Sequence, residues 1–134
     1  MIVFLHAGGS RTKRTTDIEA SPHRIARVMD LFPQLRIVAA HFGGSNMLEE
    51  SKKYLVGRNL YLETAAPPSL ESRIPKDTVV EMIKAHGANK IVFGTDFPLS
   101  HRRKEAEYIQ KLPLSPEEKE RILWKNAVEL LKLD

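Results

Sequence analysis

Four short apolar runs constrain the fold of this chain more than any other feature: Ile2-Val-Phe-Leu5, Arg36-Ile-Val-Ala-Ala40, Asn59-Leu-Tyr-Leu-Glu63 and Lys90-Ile-Val-Phe93. Three of them are almost uninterrupted rather than alternating, which is the pattern of strands buried on both faces, as in a parallel sheet. Between them the apolar period changes to that of a helix. Ile25, Val28, Met29 and Phe32 share one stripe of residues 22–32, and Val79, Met82 and Ile83 share another within 75–86. The runs begin at residues 2, 36, 59 and 90, close to the roughly 30 residues of one βα unit. Four such units make half of an eight-stranded α/β barrel, and the 134 residues fall well short of the roughly 250 of a whole one. The expectation is one domain over residues 1–134.

Local signals punctuate the helices. Ser21-Pro22 reads as an N-cap followed by a first-turn proline, Phe32-Pro33 ends that helix, and Gly87 follows the one that ends near His86. A further helix is expected from about His101 to Leu112. A last one should start at Ser115, which has capping-box spacing to Glu118, and present Ile122, Leu123, Val128, Leu130 and Leu131 as its apolar face. The Gly/Ser/Thr-rich stretch from Ala7 to Asp17 falls where a long loop follows a strand.

Composition narrows the chemistry. Hydrophobic residues at 42% and charged residues at 28% are those of an ordinary globular domain. No apolar run approaches the ~20 residues that cross a bilayer. The opening Met1-Ile-Val-Phe-Leu5 is too short, and lacks the basic leader, for a signal peptide, so the expected compartment is the cytoplasm. The net charge of +4 is dispersed apart from Arg11-Thr-Lys-Arg14 and His101-Arg-Arg-Lys104, and no aromatic residues interleave with either cluster to make a nucleic-acid platform. Without cysteine, thiolate nucleophiles and Cys-ligated zinc are excluded, so a metal would be held by His and carboxylate.

Each strand finishes in a small or polar cluster: His6-Ala-Gly-Gly9, His41-Phe-Gly-Gly44, Glu63-Thr64 and Gly94-Thr-Asp96-Phe-Pro98. In a parallel sheet these ends open on one face, which brings His6, His41, Glu63 and Asp96 within reach of one another despite their separation in sequence. Two imidazoles and a carboxylate suit a divalent metal that activates water. Each has a plainer reading. A strand-end histidine more often makes a structural hydrogen bond, Asp96 before Phe97-Pro98 is also a turn residue, and the glycine pairs serve a close-approaching ligand or simply a turn. A charge at Asp96, after an apolar strand, is costly to bury without a cation or strong hydrogen bonds. Glu63 is a candidate substrate-contacting or supporting carboxylate. His23, His86 and His101 lie on or beside helices, on the outer ring of such a fold, and are set aside.

These motifs, in this order, resemble the amidohydrolase-related metal-dependent hydrolases, a branch that includes aminocarboxymuconate-semialdehyde and resorcylate-type decarboxylases. Val3-Phe-Leu-His6-Ala-Gly8 is similar to the family's fifth barrel strand. Phe32-Pro-Gln-Leu-Arg-Ile-Val38 with His41-Phe-Gly-Gly44 is similar to the sixth, Asn59-Leu-Tyr-Leu-Glu63-Thr64 to the seventh, and Ile91-Val-Phe-Gly-Thr-Asp96-Phe-Pro98 to the eighth. Asn126-Ala127 is similar to a pair in the closing helix. The resemblance implies the carboxy-terminal half of a TIM-type (β/α)8 barrel, with His6 and Asp96 as metal ligands and His41 and Asp96 as catalytic residues. It also implies a divalent metal, zinc first and manganese second, and a small-molecule substrate. Metal-assisted hydrolysis is the first expected activity and nonoxidative decarboxylation the alternative. The family's first strand supplies a His-X-His pair that is found nowhere in these residues. The expectations are therefore about half of a metal centre and either self-association or pairing with an amino-terminal half-barrel. A catalytically silent assembly module is the competing reading.

Overall fold

The computed structural model describes residues 1–9, 20–66 and 69–133. The basic cluster Arg11–Arg14 and most of the loop expected from Ala7 to Asp17 lie outside these residues. The chain divides into two units, Met1–Glu63 and Thr64–Asp134.

In the first unit, strand β1 (Ile2–Leu5) leads to helix α1 (Pro22–Leu31), β2 (Arg36–Ala39), a single 3-10 turn (His41–Gly43), α2 (Leu48–Tyr54) and β3 (Tyr61–Glu63). β1 pairs parallel with β2, with Leu5 level with Ala39, and β2 pairs parallel with β3, with Ala39 level with Leu62. α1 starts where Ser21 accepts a hydrogen bond from the Arg24 amide at 3.4 Å, with Pro22 in its first turn. Its buried stripe of Ile25, Ala26 and Met29 follows the helical period. Arg58 ties the far end of the unit to α1 through the Ala26 carbonyl at 3.3 Å and the Asp30 carboxylate. α2 fills the place that four strands each followed by a helix require after β2, although no local signal in the sequence marks it. Its residues Leu48-Glu-Glu-Ser-Lys-Lys-Tyr54 carry no apolar stripe, and Ser51 is its one buried residue.

In the second unit come α3 (Leu70–Arg73), α4 (Lys76–His86), a 3-10 turn (Ala88–Lys90), β4 (Ile91–Val92), α5 (Arg102–Lys111), α6 (Pro116–Glu120), a π-helical turn (Arg121–Lys125) and α7 (Asn126–Leu131). The Thr64 amide donates to the Val92 carbonyl at 3.1 Å, the first rung beside β4. The expected capping box is present: Ser115 accepts from the Glu118 amide at 3.2 Å and the Glu118 carboxylate accepts from the Ser115 amide at 2.7 Å.

Two expectations need correction. The run 2–5 is not buried on both faces, since β1 is at most partly covered and Phe4 is 63% exposed. β2 and β4 do fit the buried pattern, with Ile37, Val38, Ile91 and Val92 all in the core. The last helix runs unbroken from Pro116 to Leu131 but is not α-helical throughout. In the π turn the Asn126 amide reaches back to the Arg121 carbonyl, which leaves the Ile122 carbonyl to accept from the Phe93 amide just beyond β4 at 3.0 Å. Asn126, fully buried, donates from Nδ2 to the Ala88 carbonyl at 2.7 Å and the Ile91 carbonyl at 2.6 Å. The closing helix is thereby fastened to both ends of β4. No helix among the described residues is long and apolar enough to cross a membrane.

Candidate active site

The register of the first unit fixes which side chains meet. Because Leu5 is level with Ala39 and Ala39 with Leu62, His6 and Glu63 stand at the carboxyl ends of their strands, and His41 follows one step beyond Ala40. His6 is exposed and His41 is buried. His6 Nδ1 and His41 Nε2 share a hydrogen bond of 3.0 Å, with the rings edge to face and their centroids 4.8 Å apart. One ring donates and the other accepts. Behind them the buried Glu63 carboxylate accepts from the His41 backbone amide at 3.3 Å. The structure thus brings His6, His41 and Glu63 together.

The backbone that presents His41 is unusual. His41 and Phe42 both have positive φ, 58° and 51°, a region that costs a bulky residue of order 1–3 kcal/mol. Phe42 is fully buried, and its carbonyl accepts from the Ser51 hydroxyl at 2.5 Å. Core packing of Phe42 and the bonds from Ser51 and to Glu63 hold the turn that aims the imidazole. Nothing in the sequence marked Ser51, because its partner is a carbonyl nine residues away.

The glycines bring the chain against itself. A Cβ on Gly8, whose φ is 96°, would stand 2.3 Å from the Ser45 backbone nitrogen, and one on Gly43 would stand 2.8 Å from Leu55 and Ser51 side-chain atoms. The Ser45 amide donates to the Ala7 carbonyl at 2.8 Å, and the Gly9 amide to the Ser45 carbonyl at 2.9 Å. These contacts lock the loop after β1 to the loop after β2. The glycines beside the two histidines therefore give up their space to neighbouring chain.

Asp96 belongs to the second unit. It lies past β4 with φ 55°, a conformation that aspartate tolerates better than most residues. Its carbonyl accepts from the Leu99 amide at 2.9 Å, closing a turn that contains the cis Phe97-Pro98 bond. Asp96 is exposed, so the burial cost expected for its charge does not arise in this chain. Thr64 braces the same strand end: its hydroxyl donates to the Gly94 carbonyl and accepts from the Gly94 amide, both at 3.1 Å.

The donors present suit a divalent metal in kind, being neutral imidazole nitrogen and carboxylate oxygen. A second ring bonded to His6 also matches the support that ligating histidines receive. In number they fall short, since no group of three or more His, Cys, Asp or Glu among the described residues is placed to hold a metal, and catalytic zinc takes about three protein ligands.

The chain resembles two curated decarboxylases. It is 28% identical over 125 residues to the 2-amino-3-carboxymuconate-6-semialdehyde decarboxylase of Caenorhabditis elegans, covering 82% of this chain and 31% of that one. It is 24% identical over 123 residues to the gamma-resorcylate decarboxylase of a Polaromonas species, covering 80% and 37%. Thus it spans about a third of the length of these relatives. Among solved structures, 5-carboxyvanillate decarboxylase LigW of Sphingomonas paucimobilis matches with a TM-score of 0.70 at 15% identity, over 100% of this chain and 50% of that one. The Polaromonas dihydroxybenzoic acid decarboxylase, with bound manganese and the inhibitor 2-nitroresorcinol, matches at 0.62 and 24% identity, over 84% and 39%. A zinc-bound amidohydrolase of Burkholderia multivorans matches at 0.66 and 13% identity, over 82% and 48%. Strands and helices thus alternate as in about half of a TIM-barrel amidohydrolase, and the family's sequence profile matches residues 1–133, so the chain belongs to the amidohydrolase family.

Proposed function

We propose that this chain supplies the carboxy-terminal share of the active site of a metal-dependent enzyme that removes the carboxylate from a small acid without oxidation. The observation that carries the reading is the His6–His41 contact of 3.0 Å, with His41 held from behind by Glu63 at 3.3 Å. Both curated relatives described above are decarboxylases. That favours decarboxylation over hydrolysis, which the sequence put first and which would use the same residues.

His6 and Asp96 are the residues that would hold the metal, either manganese or zinc. When bound, a divalent metal supplies a fixed positive charge that polarises a substrate oxygen. Decarboxylation breaks the bond between a substrate carbon and its carboxylate. Carbon dioxide leaves, the electron pair stays on the carbon, and a proton must be delivered there. His41, buried and hydrogen-bonded to a second imidazole, is the residue we assign to that proton transfer. Glu63 fixes the orientation of His41 through its backbone, and its role as a substrate contact stays part of the proposal. Asp96, exposed at a strand end, is free of the core to act as ligand or proton acceptor.

Metal binding by equilibrium dialysis tests the ligands. Manganese or zinc should bind weakly, with binding lost in His6→Ala and Asp96→Ala and kept in His41→Ala. Undiminished binding in both of the first two variants overturns the ligand assignment. Cleavage of an amide or ester, with no carbon dioxide released from a carboxylated substrate, overturns decarboxylation.

A further inference from the structure

We infer that Ser51 is a positioning residue for His41: its hydroxyl fixes the peptide that keeps the turn closed and the His41 ring against His6. That role rests on the proton transfer assigned to His41 above. Ser51 acts through the backbone, from a helix of its own.

Three consecutive residues carry positive φ, His41 at 58°, Phe42 at 51° and Gly43 at 74°. For the first two this is a sparsely populated conformation, which persists only where the surroundings over-determine it. The peptide groups of the turn show what does so. The His41 amide is held by the Glu63 carboxylate at 3.3 Å, and the His41 carbonyl accepts from the Gly44 amide at 3.0 Å. The peptide between Phe42 and Gly43 is the weak point, because glycine adopts either sign of φ and lets the peptide turn over. Its amide donates to the Ala40 carbonyl at 2.9 Å, a bond made within the turn itself. Its carbonyl accepts from the Ser51 hydroxyl at 2.5 Å, and that bond comes from α2. Turning the peptide over breaks both bonds at once and opens the turn on which the His41 ring is mounted.

α2 is built around this contact. It has no apolar stripe, and its one buried residue is Ser51, which is wholly enclosed. A serine inside a helix does the helix no service, since its hydroxyl competes for backbone groups and alanine is the better helix former. Here the hydroxyl is directed to a carbonyl nine residues back. The space is matched as well. A Cβ on Gly43 would stand 2.8 Å from Ser51 Oγ, 2.8 Å from Leu55 Cδ1 and 3.0 Å from Leu62 Cδ2, so the turn lies directly against α2 and β3. The product of these restraints is the 3.0 Å hydrogen bond between His6 Nδ1 and His41 Nε2.

An N–H···N bond between two imidazoles carries a scalar coupling between its nitrogens, which reports the His6–His41 contact with neither metal nor turnover. It is recorded in the isotope-labelled, metal-free chain at one fixed pH, together with amide exchange at Gly43. Ser51→Ala should lose the coupling and speed Gly43 exchange about tenfold, the effect of one hydrogen bond. Ser51→Thr, which keeps a hydroxyl, should retain both readings. Ile83→Val, a core truncation in the other unit, should lower the melting temperature and leave both readings unchanged. If Ser51→Ala does not fold, Ser51→Cys, a weaker donor, should show a reduced coupling. A full coupling in Ser51→Ala or Ser51→Cys, an equal loss in Ser51→Thr or Ile83→Val, or no coupling in the wild type overturns the inference. Cleavage of an amide or ester without release of carbon dioxide would leave it standing while the decarboxylase reading falls.

Discussion

Glu105 shows how one residue can tie stability to pH. Burial raises its carboxyl pKa above the ordinary 4.5, the hydrogen bond from the Leu70 amide acts in the opposite sense, and nearby Glu71 raises it further. In the window between 4.5 and the higher folded value, the folded chain binds more protons than the unfolded one. Stability therefore falls as pH rises through that window, and the cost of burying the charge is fully present above it. Glu105→Gln keeps an oxygen for Leu70 and removes the charge. Urea melts at about pH 4 and about pH 7 should show a flatter pH dependence in the variant and a gain in stability that is larger at the higher pH. A wild-type slope that survives the substitution would assign it to another group. At this scale the sequence revealed positions but not environments. His6, His41, Glu63 and Asp96 could be singled out because strand ends converge, a rule that needs no coordinates. The left-handed turn at His41-Phe42, the Ser51 bond that braces it and the exposure of Asp96 all depend on neighbours distant in sequence.

Among the elements, those with local causes were legible. Ser21-Pro22, Gly87 and the Ser115–Glu118 box each act within a turn of the helix they bound, so α1, α4 and α6 begin or end where the residues say. The π turn was not legible, because the bond that goes with it joins the Ile122 carbonyl to the Phe93 amide, at a strand end some thirty residues away. The βα repeat requires a helix after β2, but the bounds of α2 were not legible because it lacks an apolar stripe. Asn126 was noticed only through family resemblance, and the structure gives it a physical task in the two carbonyl bonds that fasten α7 to Ala88 and Ile91. Asn126→Ala removes both, the buried bond to Ile91 and the part-buried bond to Ala88, which should cost about 3 kcal/mol in denaturant melts. Faster hydrogen exchange at Phe93 should accompany the loss. A loss below about 1 kcal/mol, that of one ordinary hydrogen bond, would mean the helix is held elsewhere.

For the whole molecule, the first strand raises a question of association. β1 is paired with β2 and with no other strand among the described residues, and Phe4 near its middle is 63% exposed. An exposed strand edge carrying a large apolar side chain tends to recruit another chain. The solved LigW chain is about twice as long as this one, so a second strand-bearing body beside β1 is in keeping with the family's architecture. A second copy of this chain can provide it. The mass measured by light scattering should therefore rise with concentration, and Phe4→Lys should shift the population to monomer. A lysine amine on an exposed edge remains solvated and repels its counterpart on an approaching copy, at little cost to the monomer because the Phe4 side chain is mostly outside the core. If the wild-type mass stays monomeric at every concentration, β1 is not a self-association edge. If it rises equally in Phe4→Lys, association runs through another surface.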